Sequence, residues 1–120
     1  GMDWKLDDGR PIWTQLAEQL TRQIVSGEYP PGSRLPSVRE LAESAGVNPN
    51  TMQRALAQLE ADGLAASNRT SGRMVTDDSV VIDARRRALA KKHISEYLAA
   101  MSQLGYTAEE SAELLREGEK

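Results

Sequence analysis

The sequence predicts a mainly α-helical fold with one small β-hairpin. Two helical patterns, residues 37–45 and 49–62, are separated by a break of about three residues that contains Gly46. A turn-rich stretch then separates two short segments that can pair, and the last third of the chain carries a long amphipathic helical pattern. Together these features predict a winged helix-turn-helix over residues 1–76, followed by a two-helix tail over residues 77–120.

The first helix is predicted from a stripe of apolar residues with a period of about 3.6. The stripe consists of Ile12, Leu16, Leu20 and Ile24. Gly27 is placed to end this helix, and Pro30-Pro31-Gly32 then enforces a turn. Trp13 and Tyr29 are expected to contribute to the core of this small domain rather than to stack on bases.

The helix-turn-helix is marked by its caps. Ser37-x-x-Glu40 is a capping box, in which each side chain can satisfy the other residue's backbone N–H. Asn48 is a good N-cap for the next helix, and Pro49 suits its first position, where the missing N–H costs nothing. The apolar residues expected to face the core from this helix are Met52, Ala55, Leu56 and Leu59.

The chain after Gly63 holds the hairpin and the tail. The stretch from Arg69 to Gly72 is rich in turn residues and is predicted to form the hairpin tip. Residues 77–79 are interpreted as a linker, after which a long helix extends to Gly105. Thr107-x-x-Glu110 is another capping box and predicts a short last helix.

The first turn of the helix after Asn48 carries side chains suited to DNA. Asn and Gln present a donor and an acceptor together, and this pair matches adenine in the major groove. Arg54 could contact a phosphate or a guanine, and a helix N-terminus attracts phosphate. The residues are Asn48, Asn50, Thr51, Gln53 and Arg54. Taken alone they could form a cap and a solvated face, but the helix-turn-helix spacing favours DNA readout.

Two further groups are candidates for DNA contact. Ser37 and Arg39 lie at the start of the preceding helix, where Arg39 could reach DNA or could pair with Glu43 one turn along. The hairpin tip holds small polar residues between two arginines, which suits insertion into a minor groove, although an ordinary solvated turn has the same composition. The tip residues are Arg69, Thr70, Ser71, Gly72 and Arg73.

Composition argues against several classes of function. There is no cysteine and one histidine, His93, so disulfides and metal sites are not expected. No nucleophile–base pair or phosphate loop is found, and we expect neither an enzyme nor a cofactor. A winged helix used only for protein contacts would carry an apolar or acidic surface where this chain has amides and an arginine.

The charge and hydropathy of the chain limit its partners. The net charge is −3, so any DNA affinity must come from a few placed arginines rather than from a basic field. The basic run over residues 85–93 favours a solvated helix face over a phosphate contact. No apolar run is long enough to span a membrane and no signal pattern opens the chain, so we expect a cytoplasmic protein without membrane attachment.

Residues 10–76 resemble the winged-helix head of GntR-type transcriptional regulators. The shared motifs are Pro-Ile-aromatic-x-Gln-Leu, Pro-Pro-Gly, Leu-Pro-Ser-x-Arg-Glu-Leu-Ala and Leu-Glu-x-x-Gly-Leu. Val-Asn-Pro-Asn-Thr followed by Gln-Arg-Ala, together with the ending LGYTAEESAELL, resembles the YtrA-like subfamily. The resemblance implies a dimeric DNA-binding repressor, with contacts at Arg39, at the start of the recognition helix and at the wing tip.

The chain departs from the common family pattern in the recognition helix and in the wing. Many members have arginines where this chain has Pro49 and Gln53, so its operator must be read differently, although the YtrA-like pattern shares this Pro and Gln. The wing usually reads Arg-Gly-x-Gly, and Thr70 stands in place of the first glycine. Because threonine disfavours a positive φ, deep insertion of this wing into a groove is less expected.

An apolar stripe on the long tail helix predicts a homodimer. The stripe is too wide for the last short helix to cover, and soluble monomers tend to avoid such patches. A two-fold dimer would place two recognition helices on one face of double-stranded DNA, which predicts an inverted-repeat operator. The residues are Ile94, Tyr97, Leu98, Met101, Leu104 and Leu115. A small-molecule effector could act through the tail, but the sequence offers no evident pocket for it.

Overall fold

The computed structural model describes residues 2–118, and its fold is mainly α-helical with one hairpin, as the sequence predicts. The elements are α1 (Ile12–Val25), α2 (Val38–Ala45), α3 (Pro49–Ala61), β1 (Ala65–Asn68), β2 (Gly72–Val75), α4 (Ser79–Gln103) and α5 (Ala108–Gly118). Across the described range no helix is both long and apolar enough to cross a membrane. Internal contacts divide the chain into two compact units, the first ending at Arg86 and the second beginning at Arg87.

The core of the first unit lies between α1 and α3. Leu16, Leu20 and Ile24 of the predicted stripe are at most 1% exposed, and α1 packs directly against α3. All the residues predicted to face inward from α3 are buried: Met52, Ala55, Leu56 and Leu59. Each fully buried leucine or methionine contributes about 1.5–3 kcal/mol relative to an exposed one, so this contact fixes the orientation of α3.

Both predicted caps of the helix-turn-helix are present. The Ser37 hydroxyl accepts a hydrogen bond of 3.1 Å from the Glu40 backbone N–H, and the Ser37 backbone N–H donates to Glu40 Oε1 at 3.2 Å. Gly46 ends α2 with a φ of 69°, a left-handed conformation that glycine adopts without strain. Asn48 Oδ1 accepts from the Asn50 N–H at 2.7 Å. Local chemistry therefore sets the short break between α2 and α3.

The hairpin forms the wing. Its strands are antiparallel, and the register runs from Ala65 opposite Val75 to Asn68 opposite Gly72. At the tip, Asn68 Oδ1 accepts hydrogen bonds from both the backbone N–H and the hydroxyl of Thr70, each at 2.9 Å. The tip is thus closed by a side chain that replaces a backbone acceptor.

The free edge of β2 is also paired, which the sequence does not predict. The Leu35 N–H donates to the Arg73 carbonyl at 2.9 Å, and Arg34 lies opposite Met74 as an isolated antiparallel bridge. Residues 33–35 therefore act as a short third strand of the wing. The pairing joins segments that are distant along the chain, so no local pattern could reveal it.

Two buried glutamines of α1 hold the extended segment that precedes it. The Gln19 amide accepts from the Lys5 N–H at 3.0 Å and donates to the Lys5 carbonyl at 2.8 Å. Gln15 makes the same pair of bonds with Asp7, at 3.0 and 2.9 Å. Gln15 and Gln19 are only 2% and 7% exposed, and buried amides without partners would be strongly destabilising. The Gln of the Pro-Ile-aromatic-x-Gln-Leu motif is therefore a structural residue.

The first part of α4 belongs to the first unit. Ile82 is buried, Arg86 Nε donates to the Val25 carbonyl at 2.8 Å, and Arg85 lies 3.5 Å from a carboxylate at the end of α3. The sequence-based boundary after residue 76 thus precedes the division between the compact units. Two arginines of the basic run contact the protein rather than solvent alone.

In the second unit, a side-chain hydrogen bond joins the later part of α4 to α5. The predicted capping box of α5 is present, because the Thr107 N–H donates to Glu110 Oε1 at 2.9 Å and the Thr107 hydroxyl accepts from the Glu110 N–H at 3.1 Å. The Tyr97 hydroxyl donates to the Ser111 carbonyl at 2.7 Å. Ser111 is the buried residue of α5, so the helices meet at a polar bond rather than through a closed apolar core.

Candidate nucleic-acid interface

The outward face of α3 is polar in its first turns. Because the apolar side of the helix is held in the core, Asn50, Gln53 and Arg54 are exposed, while Thr51 is half-buried. Asn48 is also exposed, but its Oδ1 is occupied by the cap. Within residues 2–118, the side-chain amides of Asn50 and Gln53 have no hydrogen-bond partner. Each can therefore offer a donor and an acceptor to a base edge.

Arg54 has a partner inside the chain. Its guanidinium carbon lies 4.4 Å from the centroid of the Trp13 ring, which is the distance of a cation–π contact. Trp13 and Tyr29 are half-buried rather than enclosed in the core. Because Arg54 remains exposed, the Trp13 ring holds its charge beside the outward face of α3 without removing it from solvent.

The start of α2 presents an arginine that is not paired internally. Arg39 is exposed and forms no ion pair with Glu43, so the alternative explanation of Arg39 as a pairing residue is not realised.

The hydroxyl and backbone N–H of Ser37 are both used by the capping box. The backbone N–H of Ser37 lowers the pKa of Glu40 most, its hydroxyl adds to this, and the charge of Arg34 contributes further.

The wing tip separates into an exposed and a half-buried part. Arg69 and Thr70 are exposed, whereas Ser71, Gly72 and Arg73 are half-buried. No residue other than glycine has a positive φ among those described, so the tip turns with Thr70 in an ordinary backbone conformation. The tip is therefore shaped by the Asn68 side chain.

Arg73 is directed towards α3. Its Nε lies 3.3 Å from Glu60 Oε2, and its side chain is 14% exposed. Partial burial acts to raise the pKa of Glu60, but a hydrogen bond from the Ser67 hydroxyl and the charge of Arg73 outweigh it and hold that pKa below its ordinary value. Arg73 thus ties the wing to α3, and Arg69 is the wing arginine that extends into solvent.

A cleft of about 490 Å³ lies between the start of α2 and the wing. Ser37 and Glu40 line one side of it, and Gly72 and Arg73 line the other. Arg34 also lines this cleft, and neither Arg69 nor α3 does. Arg34 is not among the residues predicted from the sequence to contact DNA. The sequence feature that could have indicated Arg34 is its position directly before the Leu-Pro-Ser that leads into α2.

The predicted dimerisation residues remain largely uncovered in the second unit. The exposed ones are Ile94, Leu104 and Leu115, and the half-buried ones are Tyr97, Leu98 and Met101. Several of them line an open groove of about 450 Å³ between α4 and α5, and apart from His93 and a tyrosine its lining is aliphatic. The sequence offers no evident pocket in the tail, and what the structure contains there is this open apolar groove.

Known proteins similar to this chain identify its family. Residues 13–75 match the family described as "Bacterial regulatory proteins, gntR family". The HTH-type transcriptional regulator YhcF of Bacillus subtilis is 34% identical over 112 residues, which cover 93% of this chain and 93% of YhcF. The HTH-type transcriptional repressor YtrA of Bacillus subtilis is 28% identical over 108 residues, covering 89% of this chain and 83% of YtrA.

A solved structure extends the similarity through the tail. The GntR family transcriptional regulator from Listeria monocytogenes is similar with a TM-score of 0.85 and 35% sequence identity, over 93% of this chain and 98% of that one. The resemblance to GntR regulators, and among them to YtrA, is confirmed by these matches. This chain belongs to the GntR family of DNA-binding transcriptional regulators, whose members are not enzymes.

Proposed function

We propose that this protein is a dimeric repressor that reads an inverted-repeat operator in double-stranded DNA through α3. The observation that carries this proposal is the pair of unpartnered amides, Asn50 and Gln53, on a helix whose other side is fixed in the core. Base readout requires side chains held rigidly at the groove. An amide matches the N6/N7 edge of adenine, so we expect adenine at a readout position of each half-site.

The remaining contacts supply orientation rather than sequence. Arg39 at the start of α2 and Arg69 at the wing tip are exposed and suited to phosphates. Arg54 over Trp13 adds a positive charge beside the readout face. Because the net charge of the chain is −3, no broad positive field assists binding. Non-specific affinity should therefore be weak and should fall with rising salt concentration.

The dimer is proposed from the second unit. A second copy packed on the exposed apolar side of α4 and α5 would remove Ile94, Leu104 and Leu115 from water. Two heads related by a two-fold axis would then contact half-sites about one helical turn apart. The relative YtrA carries the name of a repressor, which supports repression as the outcome. A repressor of this kind acts on the chromosome, and we place it in the cytoplasm.

Selection of bound sequences from a random DNA pool tests this function. The expected result is an inverted repeat, and Gln53→Ala should then cost about 1–3 kcal/mol on the selected operator and little on random DNA. Gln103→Ala, which changes an exposed glutamine at the end of α4, serves as the control. An equal loss on both DNAs would show that Gln53 does not read bases. A pool from which no sequence is enriched would favour a winged helix used for protein contacts.

A further inference from the structure

The cleft between α2 and the wing contains a cation whose role is unassigned. Arg34 is exposed and lines the cleft together with Ser37, Glu40 and Gly72. It does not lie on the readout face of α3, and it is not at the wing tip. Any contact it makes with DNA would be separate from the amides that read bases.

The backbone of Arg34 is fixed to the wing. The residue forms a β-bridge with Met74. On either side of it, the Val75 N–H donates to the Ser33 carbonyl at 2.8 Å and the Leu35 N–H donates to the Arg73 carbonyl at 2.9 Å. Arg34 is thus part of the sheet rather than of a loose turn, and its side chain starts from a defined position.

The guanidinium of Arg34 also lies beside Gly72. A Cβ placed on Gly72 would lie 3.3 Å from Arg34 Nε and 3.5 Å from Nη2, so the guanidinium rests against the bare backbone of that glycine. Gly72 has a φ of 78°, a conformation that also favours glycine. A planar guanidinium that is supported on one side keeps its donors aligned for an anion on the other.

The neighbouring charges leave Arg34 as the available cation of the cleft. Arg73 is engaged by Glu60 at 3.3 Å, whereas Arg34 forms no ion pair within residues 2–118. Glu40 is the acidic group that faces Arg34, and its carboxylate is held in the capping box by Ser37. An anion would be repelled by Glu40 and would therefore bind on the side of the cleft formed by the wing.

We propose that this cleft binds one phosphate of the DNA backbone in each head, with Arg34 as its charged ligand. The inference rests on the proposed function and deepens it, because it assigns the wing side of the interface to the backbone. Such a contact carries no sequence information. It would hold the wing side of the head against the DNA backbone while α3 lies in the major groove.

The salt dependence of DNA binding tests the proposal. In the full chain, Arg34→Ala should make the plot of log affinity against log salt shallower by about 0.9 for each head bound. Affinity for the selected operator and for random DNA should fall by the same factor. Arg22→Ala removes an exposed arginine near the end of α1 and should leave the slope unchanged.

Two further variants separate charge from packing. Arg34→Met keeps an unbranched stem over Gly72 but lacks the charge, and it should show the same shallower slope as Arg34→Ala. Arg34→Lys keeps the charge and should restore the slope to that of the unmodified protein. These variants keep the proposal testable if Arg34→Ala lowers the melting temperature, because melting curves report packing and the slope reports phosphate contacts.

The remaining outcomes would overturn the phosphate site alone or the phosphate site together with the proposed function. An unchanged slope in both Arg34→Ala and Arg34→Met would exclude the phosphate site. A loss confined to the operator would make Arg34 a base reader and would also overturn it. In either case a preserved effect of Gln53→Ala on the operator would leave the proposed function standing. Failure of the unmodified protein to bind any DNA would remove both.

Discussion

The two compact units of this chain treat their apolar residues in opposite ways. In the first unit the periodic apolar residues are enclosed, and Leu16 and Leu56 are 0% exposed. In the second unit Leu104 and Leu115 remain 73% and 56% exposed. The apolar periodicity is strong in α1 and α5 and weak over the whole of α4. Periodicity therefore locates an apolar face, whereas enclosure requires a matching surface, which the described part of the second unit does not contain.

The polar contacts of the two units differ in the same sense. In the first unit several of them join different elements, as Arg73 of β2 does with Glu60 of α3. In the second unit, as far as it is described, the Tyr97–Ser111 bond joins the helices and the Arg116–Glu113 ion pair lies within a single helix. Ion pairs of that kind add only about 0.3–0.5 kcal/mol each. The second unit therefore has less to stabilise it from within than the first.

The largest expected effect concerns assembly of a dimer through the apolar residues that the second unit leaves exposed. Leu98→Glu places a charge on the half-buried apolar side of α4 and should convert a dimer into a folded monomer. Operator affinity should fall at least about 100-fold, because one head covers only a short half-site. Ala99→Glu, on an exposed neighbouring position, is the matched control. Sedimentation velocity measures the outcome, and a persisting dimer would place the interface on the first unit.

The next effect compares a leucine deletion in each unit. Leu56→Ala should lower the free energy of unfolding by about 2–5 kcal/mol, because it opens a cavity in the core. Leu104→Ala removes the same atoms from an exposed position and should change it by no more than about 0.5 kcal/mol. Both are measured by denaturant unfolding in the monomeric Leu98→Glu background. Similar losses at the two positions would contradict the difference between the units.

A smaller effect tests how the first unit presents a charge. Trp13→Leu removes the ring beneath Arg54 and should weaken DNA binding by about 0.5–1 kcal/mol, the range of an exposed cation–π contact. Trp13→Tyr keeps an aromatic face and should retain most of the affinity. Fluorescence anisotropy with labelled operator gives the affinities, and thermal melting reports packing losses. Equal weakening by both variants would mean that the Trp13 ring does not position Arg54.

The smallest effect is pH dependence in the contact between the wing and α3. The folded pKa of Glu60 lies below its ordinary value of 4.5, so its contribution is present at neutral pH and is lost as the pH falls through the lowered value. Glu60→Gln should therefore reduce the acid sensitivity of unfolding, by at most about 1 kcal/mol for a partly exposed pair.

Denaturant unfolding at neutral and acid pH measures this effect. Glu109→Gln removes a carboxylate of α5 that forms no ion pair within residues 2–118, and it serves as the control. If the two variants change the acid sensitivity equally, the loss of any one carboxylate explains the result and the Arg73–Glu60 pair has no special part in it.

The features that could be predicted are those encoded within a few residues. Ser37 and Thr107 form their capping boxes with the residue three positions on, and Asn48 caps the residue two positions on. The buried side of α3 followed from its period alone. In each case the partners are brought together by the helix itself, so spacing in sequence is equivalent to geometry.

The partners of the candidate interface residues could not be predicted in this way. Sequence alone does not distinguish Arg54 and Arg73 from Arg39 and Arg69 as candidates for DNA contact. In the structure, Arg54 lies over a tryptophan and Arg73 pairs with Glu60. These contacts depend on which faces of α1, α3 and the wing meet, and that is decided by packing between elements distant along the chain.

The amino-acid sequence by itself therefore determined where α2, α3 and α5 begin, which side of α1 and α3 is apolar, and that a polar first turn opens α3. Tertiary structure alone decided that Gln15 binds the extended segment before α1, that residues 33–35 join the wing, and that Arg34 lies beside Gly72. The physical reason is range. Caps and periodicity act over one or two helical turns, whereas buried amides and strand edges are satisfied by whatever backbone the complete fold brings to them.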